Sequence, residues 1–234
     1  METIGFSTGS LARSDFAAAL DMLEPHATGA VELSALRARE LRPLLAAIPS
    51  LDLSAYHHVT LHGPSAFSPT EEREVAGLLA PWAAQGWTIV VHPDSIRDFR
   101  LWAGFGASLS IENMDARNPC GRTTGELHAV FARLPHASFC LDLAHARQLD
   151  PSMHEARRLL GAFGERLSHV HVSELDAQSR HVRLSEAAVQ AYEQVAELIP
   201  LDTPVIIEAP VSASQIEAEL ERSLRAVGRA VALV

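Results

Sequence analysis

The sequence predicts an α/β fold, a single (β/α)8 TIM barrel taking in residues 1–234, on three observations. Eight short apolar or β-branched runs follow one another along the chain, and most of the gaps carry apolar residues at the three-to-four spacing of amphipathic helices. No GxGxxG follows the first run, where only Gly5 and Gly9 occur, so the dinucleotide-binding open sheet has no support. At 234 residues the chain is close to the smallest size at which such a barrel closes.

The runs are TIGFS near residue 3, GAVELS near 29, HVTLHG near 58 and WTIVVHP near 87. SLSIENM near 108, ASFCLDL near 137, LSHVHVSE near 167 and PVIIEAP near 204 complete the set. Between them SDFAAALDMLEPH, TEEREVAGLLAPWAAQG, TGELHAVFARLP, SMHEARRLLGAFGER and EAAVQAYEQVAELI carry the helical period. Two gaps are weaker: Pro43 interrupts the pattern from Arg37 to Ile48, and SIRDFRLWAGFG has little helical character. Alternation of this kind implies a parallel sheet, and eight repeats favour closing it.

Hydrophobic residues are 47% of the chain, enough for one large core, and no apolar run approaches the ~20 residues of a membrane span. METIGFSTGS lacks the basic and apolar regions of an export signal, so the expected setting is soluble and cytoplasmic. Cys120 and Cys140 are too few for a disulfide scaffold, and Cys140, inside an apolar run, reads as a small buried hydrophobe. All 19 basic residues are arginine, which excludes Schiff-base chemistry, a lysine general base and a phosphate-loop lysine. The net charge of −10 argues against a nucleic-acid partner, which usually selects a basic face. Trp82, Trp87 and Trp102 read as exposed apolar residues that serve helix packing or, failing that, a homo-oligomeric interface.

In a barrel of this kind the active site is built at the C-terminal ends of the strands. The polar residues closing the runs are Glu32, His62, His92, Glu112 with Asn113, Asp142 with His145, His171, and Glu208. One charge at a strand end is explained by contact with water. Carboxylates and imidazoles at seven of the eight are not, because these groups are the ligands of zinc, manganese or iron. In HVHVSE a period of two puts His169 and His171 on one face, His171 nearer the rim and His169 deeper and hydrogen-bonded. Pro64, Pro93 and Pro210 stop three of the strands and stiffen the loops that follow.

The segments GAVEL, LHGP, VVHP, IENMD, CLDLAHA, HVHVSE, SRHVRLSE and IEAP, in this order over nearly the whole chain, resemble the xylose isomerase-like barrel superfamily. That superfamily includes sugar isomerases, epimerases and the zinc-dependent endonuclease IV branch. The resemblance implies a central divalent metal held by Glu112, Asp142, His171 and Glu208. In the endonuclease-like branch it further implies that His62 and His92 share Glu112 with a second ion and that His145 and His181 hold a third. The cofactor expected is thus one to three ions of Zn, Mn, Mg, Co or Fe. That branch usually has an aspartate two residues before the position of His181, where this chain has Ser179, and a glycine-rich tail after it, where this chain has Ser185 and Glu186.

Two chemistries suit such a rim. The first is a sugar or sugar-phosphate isomerase or epimerase in which Glu112 and Glu208 are acid and base around an enediolate. Its substrate contacts are Glu32, Asn113 and Arg180, with His62 and His92 on sugar hydroxyls and Arg117, Arg122 or Arg180 in reach of a phosphate. The alternative is a multinuclear zinc phosphoesterase of the endonuclease IV type, in which hydroxide attacks phosphorus. A non-catalytic metal-dependent binder is a third possibility. The isomerase reading, with a small sugar or sugar phosphate as partner, is the expectation taken to the structure.

Overall fold

The computed structural model describes residues 3–13 and 15–230. Strands β1 (Ile4–Ser7), β2 (Ala30–Ser34), β3 (His58–His62), β4 (Thr88–Val91), β5 (Leu109–Glu112), β6 (Ser138–Asp142) and β7 (Leu167–Val172) run in order around the barrel. A short antiparallel hairpin of β8 (Glu174–Leu175) and β9 (His181–Val182) follows β7, and β10 (Val205–Ile207) closes the barrel between β7 and β1. All eight barrel strands fall within the runs read from the sequence, every pairing is parallel, and the expected (β/α)8 TIM barrel is what the chain forms.

The connecting helices are α1 (Thr8–Ala12), α2 (Phe16–Leu23), α3 (Ala38–Ala47), α4 (Glu72–Ala84) and α5 (Phe99–Trp102) in the first half. In the second they are α6 (Thr124–Arg133), α7 (Leu143–Leu149), α8 (His154–Phe163), α9 (Glu186–Ala196) and α10 (Ile216–Ala226). Pro43 lies inside α3 without ending it, because Leu41, Leu44 and Leu45 all reach the core and their burial offsets the lost backbone bond. SIRDFRLWAGFG is as weakly helical as expected, one turn of α5 followed by tighter turns. The stretch is held instead by the buried carboxylate of Glu72, which accepts the backbone N–H of Arg97 and Asp98 and the indole N–H of Trp102. Trp102 is fully buried, and Trp82 and Trp87 pack edge to face with ring centroids 5.1 Å apart. The reading of these three tryptophans as exposed is therefore corrected: they serve packing. No described helix is long and apolar enough to cross a membrane.

Alternation along the strands sorts the sheet into two faces. Val31, Leu33, Leu61, Ile89, Val91, Ile111, Phe139, Leu141, Val170 and Val172 are buried in the hydrophobic core cluster. The opposite parity points inward. The register aligns Ser7 with Glu32, Glu32 with Thr60, Ser34 with His62, Cys140 with His169 and Asp142 with His171. Glu32, Thr60, Ser110, His169 and His171 have no exposure, so this interior is polar where such barrels usually hold branched apolar side chains. Gly5 belongs to the same inner face, where a Cβ would sit 1.6 Å from the carbonyl oxygen of Ala30.

Candidate metal centre

His62, His92, Glu112, His145, His181 and Glu208 line a cleft of about 450 Å³ at the C-terminal rim. Asp142 and His171 are fully buried next to them, and the ligand atoms of Glu112, Asp142, His171 and Glu208 lie within 4.8 Å of one another. Four further groups share members with this one among the described residues: His62 and His92 with Glu112, His145 and His181 with Asp142, Glu32 and His62 with Glu208, and Cys140 and His169 with His171. The eight residues expected as ligands are thus gathered in one place.

Local structure explains their aim. Asp142 ends β6 and caps α7, its Oδ1 accepting the backbone N–H of His145 at 2.6 Å, and this cap swings His145 back toward the rim. His62 Nδ1 lies 2.7 Å from the carbonyl of Gly63 and His145 Nδ1 lies 2.8 Å from that of Asn113. A ring nitrogen that donates to a carbonyl leaves Nε2 as the free lone pair, the arrangement usual for metal-binding histidines. His181 comes from the β8–β9 hairpin, with Nδ1 2.7 Å from the hydroxyl of Ser173. Glu112 stands in the middle. Its Oε2 is 3.2 Å from His62 Nε2 and 3.1 Å from His92 Nε2, and its Oε1 is 3.3 Å from His145 Nδ1 and 3.6 Å from His171 Nδ1.

The donors fit divalent metal. Asp142 Oδ2 and His171 Nδ1 are buried with no hydrogen-bond partner, which is costly unless another group takes up their lone pairs. Both belong to the four-residue group of carboxylate oxygens and imidazole nitrogen that suits zinc, manganese or iron.

Burial raises the Glu208 and Asp142 carboxyls above the ordinary range, with the nearby Glu112 carboxylate adding to the effect in each. Burial would raise Glu112 too, but His92 and the hydrogen bonds of His145, His171 and His62 hold it well below that range. Burial disfavours a charged His62, yet Glu112, Glu32 and Glu208 raise its pKa to about 9. His145 goes the same way, to about 10, against burial and through Asp142 and Glu112. In His181 burial prevails and lowers the pKa to about 4.

A raised histidine pKa means that the proton is present below it and gone above it, so His62 and His145 carry protons in the metal-free protein at neutral pH. A ligand imidazole must give up that proton. Zinc added to the metal-free protein in weak buffer near pH 7 is therefore expected to release protons, and its affinity to rise with pH until His62 and His145 lose their protons anyway, near pH 9 and 10. An indicator-dye titration measures both, and a pH-independent affinity would contradict the ligand roles of these histidines.

Three substrate-contact expectations are corrected by position. Glu32 is not an outer contact: it lies one pleat below Ser34, which does line the cleft, and its Oε2 is 3.2 Å from His171 Nε2. Asn113 is fully buried, and its amide ties β5 to β6 through the Asp142 backbone, donating at 2.9 Å and accepting at 2.8 Å. Arg180 does not line the cleft and pairs with Asp176 at 2.7 Å within the hairpin turn. Arg122 pairs with Glu126, whereas Arg117 lines the cleft, held by the buried Asp115. Sequence reasoning missed the hydroxyl side of the cleft, Ser7, Ser10, Ser34 and Ser65, although TGS directly after the first strand was the visible signal. Ser179, standing where the resemblance calls for aspartate, adopts a left-handed backbone (φ 55°), and its Oγ accepts from Gln148 Nε2 at 2.6 Å.

No protein-family model matches the sequence, and no curated protein does. Among solved structures, endonuclease IV from Thermus thermophilus superposes with a TM-score of 0.63 at 19% identity, over 97% of this chain and 100% of that one. A candidate sugar phosphate isomerase/epimerase from Anabaena variabilis gives 0.56 at 14% identity, over 94% and 88%. A zinc-containing amidohydrolase from Burkholderia multivorans gives 0.51 at 14%, over 99% and 94%. The likeness is one of fold: it shows the closed (β/α)8 barrel.

Proposed function

We propose that the chain is a metal-dependent hydrolase of phosphoesters that works with more than one ion. This replaces the isomerase preference drawn from sequence, and one observation carries it: a single carboxylate, Glu112, faces His62 and His92 through one oxygen and His171 through the other, so that it belongs to two donor groups at once. A one-ion isomerase needs a single group of donors, whereas here five groups overlap among the described residues. Ions held there would supply Lewis acidity toward a phosphoryl oxygen and make water acidic enough to attack at neutral pH. The carbonyls of Gly63 and Asn113 fix the rings of His62 and His145, so these donors keep their aim. Arg117, anchored on Asp115 with 59% of its side chain exposed, is placed to meet a phosphate. The cleft volume and the charge of −10 support a small phosphoester over a nucleic-acid polymer, even though endonuclease IV shares the fold.

One observation favours the second reading, a sugar isomerase or epimerase. Glu112 is held ionised while Glu208 across the same cluster is pushed toward the neutral acid, the split a proton-transfer pair requires. Metal content of the purified protein by mass spectrometry separates the two, combined with turnover of bis(p-nitrophenyl) phosphate, p-nitrophenyl phosphate and a panel of aldoses and ketoses. Two or more zinc or iron ions per chain with phosphoester turnover is the expected result. One exchangeable manganese, magnesium or cobalt with sugar turnover would replace it with the isomerase reading.

A further inference from the structure

We infer that Glu32 is a positioning residue: from inside the barrel it fixes the His171 ring so that Nδ1, not Nε2, faces the metal centre. The inference rests on the metal-centre reading but not on the reaction assigned to it. His171 has two sides in this structure. Its Nδ1 is buried without a hydrogen-bond partner, 3.6 Å from Glu112 Oε1 and 3.5 Å from Glu208 Oε2. Its Nε2 points the other way, 3.2 Å from Glu32 Oε2. A carboxylate only accepts, so Nε2 keeps its hydrogen, and Nδ1 is the nitrogen that would give up any proton and offer its lone pair when a metal binds between Glu112 and Glu208.

The remaining neighbours favour Glu32 as the group that decides the ring's orientation. His169 Nε2 is also 3.2 Å from His171 Nε2, but an imidazole can donate or accept there and by itself selects neither tautomer. Glu32 is held in turn, because Thr60 donates its hydroxyl to the same Oε2 at 3.0 Å. Both residues are wholly buried and aligned across β2 and β3. Burying a carboxylate beneath a cleft it does not touch is expensive, and the cost is understandable where the group organises a ligand.

The test uses protein labelled with 15N at histidine. E32L removes the acceptor, and E32Q keeps one in the amide oxygen. Zinc affinity, measured by competition with a chromophoric chelator, is expected to fall about 10- to 100-fold in E32L and to stay near wild type in E32Q. The hydrogen-bonded ring N–H resonance of His171 is expected in wild type and E32Q and lost in E32L, with urea unfolding recorded to show that all are folded. Should E32L not fold, T60V, which frees the Glu32 carboxylate, is expected to weaken zinc binding by a smaller factor, and an unchanged affinity would overturn the inference. So would E32L binding zinc as tightly as wild type. If E32Q loses a whole ion, Glu32 is itself a ligand, with His62 and Glu208, whose donor atoms lie within 4.8 Å of its own, and the positioning role is wrong. Wild-type protein that binds no zinc would refute the metal centre instead, while the N–H resonance of the metal-free protein still reads the Glu32–His171 bond.

Discussion

Replacing Glu112 with glutamine is expected to lower phosphoester turnover roughly a thousandfold and to release more than one ion. The reason is its position between His62 and His92 on one side and His171 on the other. An amide has one weak acceptor oxygen where the carboxylate has two anionic ones, so no second ligand group is joined to the first. Bound ions contribute several kcal/mol of charge stabilisation, and losing about 4 kcal/mol of it costs roughly a thousandfold in rate. The barrel should survive, because its cohesion lies in the apolar layer between sheet and helices. Steady-state kinetics, metal analysis and a thermal melt on E112Q examine the three statements together. Full activity with the wild-type ion count would remove Glu112 from the centre.

His145→Ala is expected to cost one ion and roughly a hundredfold in hydrolysis, equivalent to about 3 kcal/mol in the barrier. His145 belongs to the group with Asp142 and His181, which lacks the expected aspartate because Ser179 stands there and turns to Gln148. With only three protein ligands, that group has none to spare. The His62, His92 and Glu112 group does not include His145 and should keep its metal. A one-ion isomerase would lose little on the same change, so sugar turnover persisting in H145A beside absent phosphoester turnover would decide for the other chemistry.

The fold was legible because each barrel strand is a short apolar run, and the outer-face residues that seal the sheet to the helices are the ones that make the runs apolar. Strand ends were less so. A period of two places Glu32 and Ser34 on one face, and which of them meets the cleft depends on where β2 stops, set by tertiary pairing of Ser34 with His62. The more conspicuous residue was chosen, and it proves to be the deeper one. Helix α7 was missed because its signal is seven residues long and begins at Asp142, which chemistry had already claimed as a ligand. Asn113 and Arg180 were drawn toward the cleft by proximity in sequence, whereas their partners, the Asp142 backbone and Asp176, turn them away. The eight ligand candidates were legible as a set because no single strand end was decisive and their order along the chain was.

The two parities of this sheet answer to different demands. Substitution among the outward residues is a matter of volume and shape, so that layer can be redesigned for stability with the chemistry left as it is. The inward parity offers no such freedom. From Gly5 through Glu32, Thr60 and His171 to Glu208, each position is committed by its neighbour, and a thermostabilised version of this protein would have to be built entirely from outside the barrel.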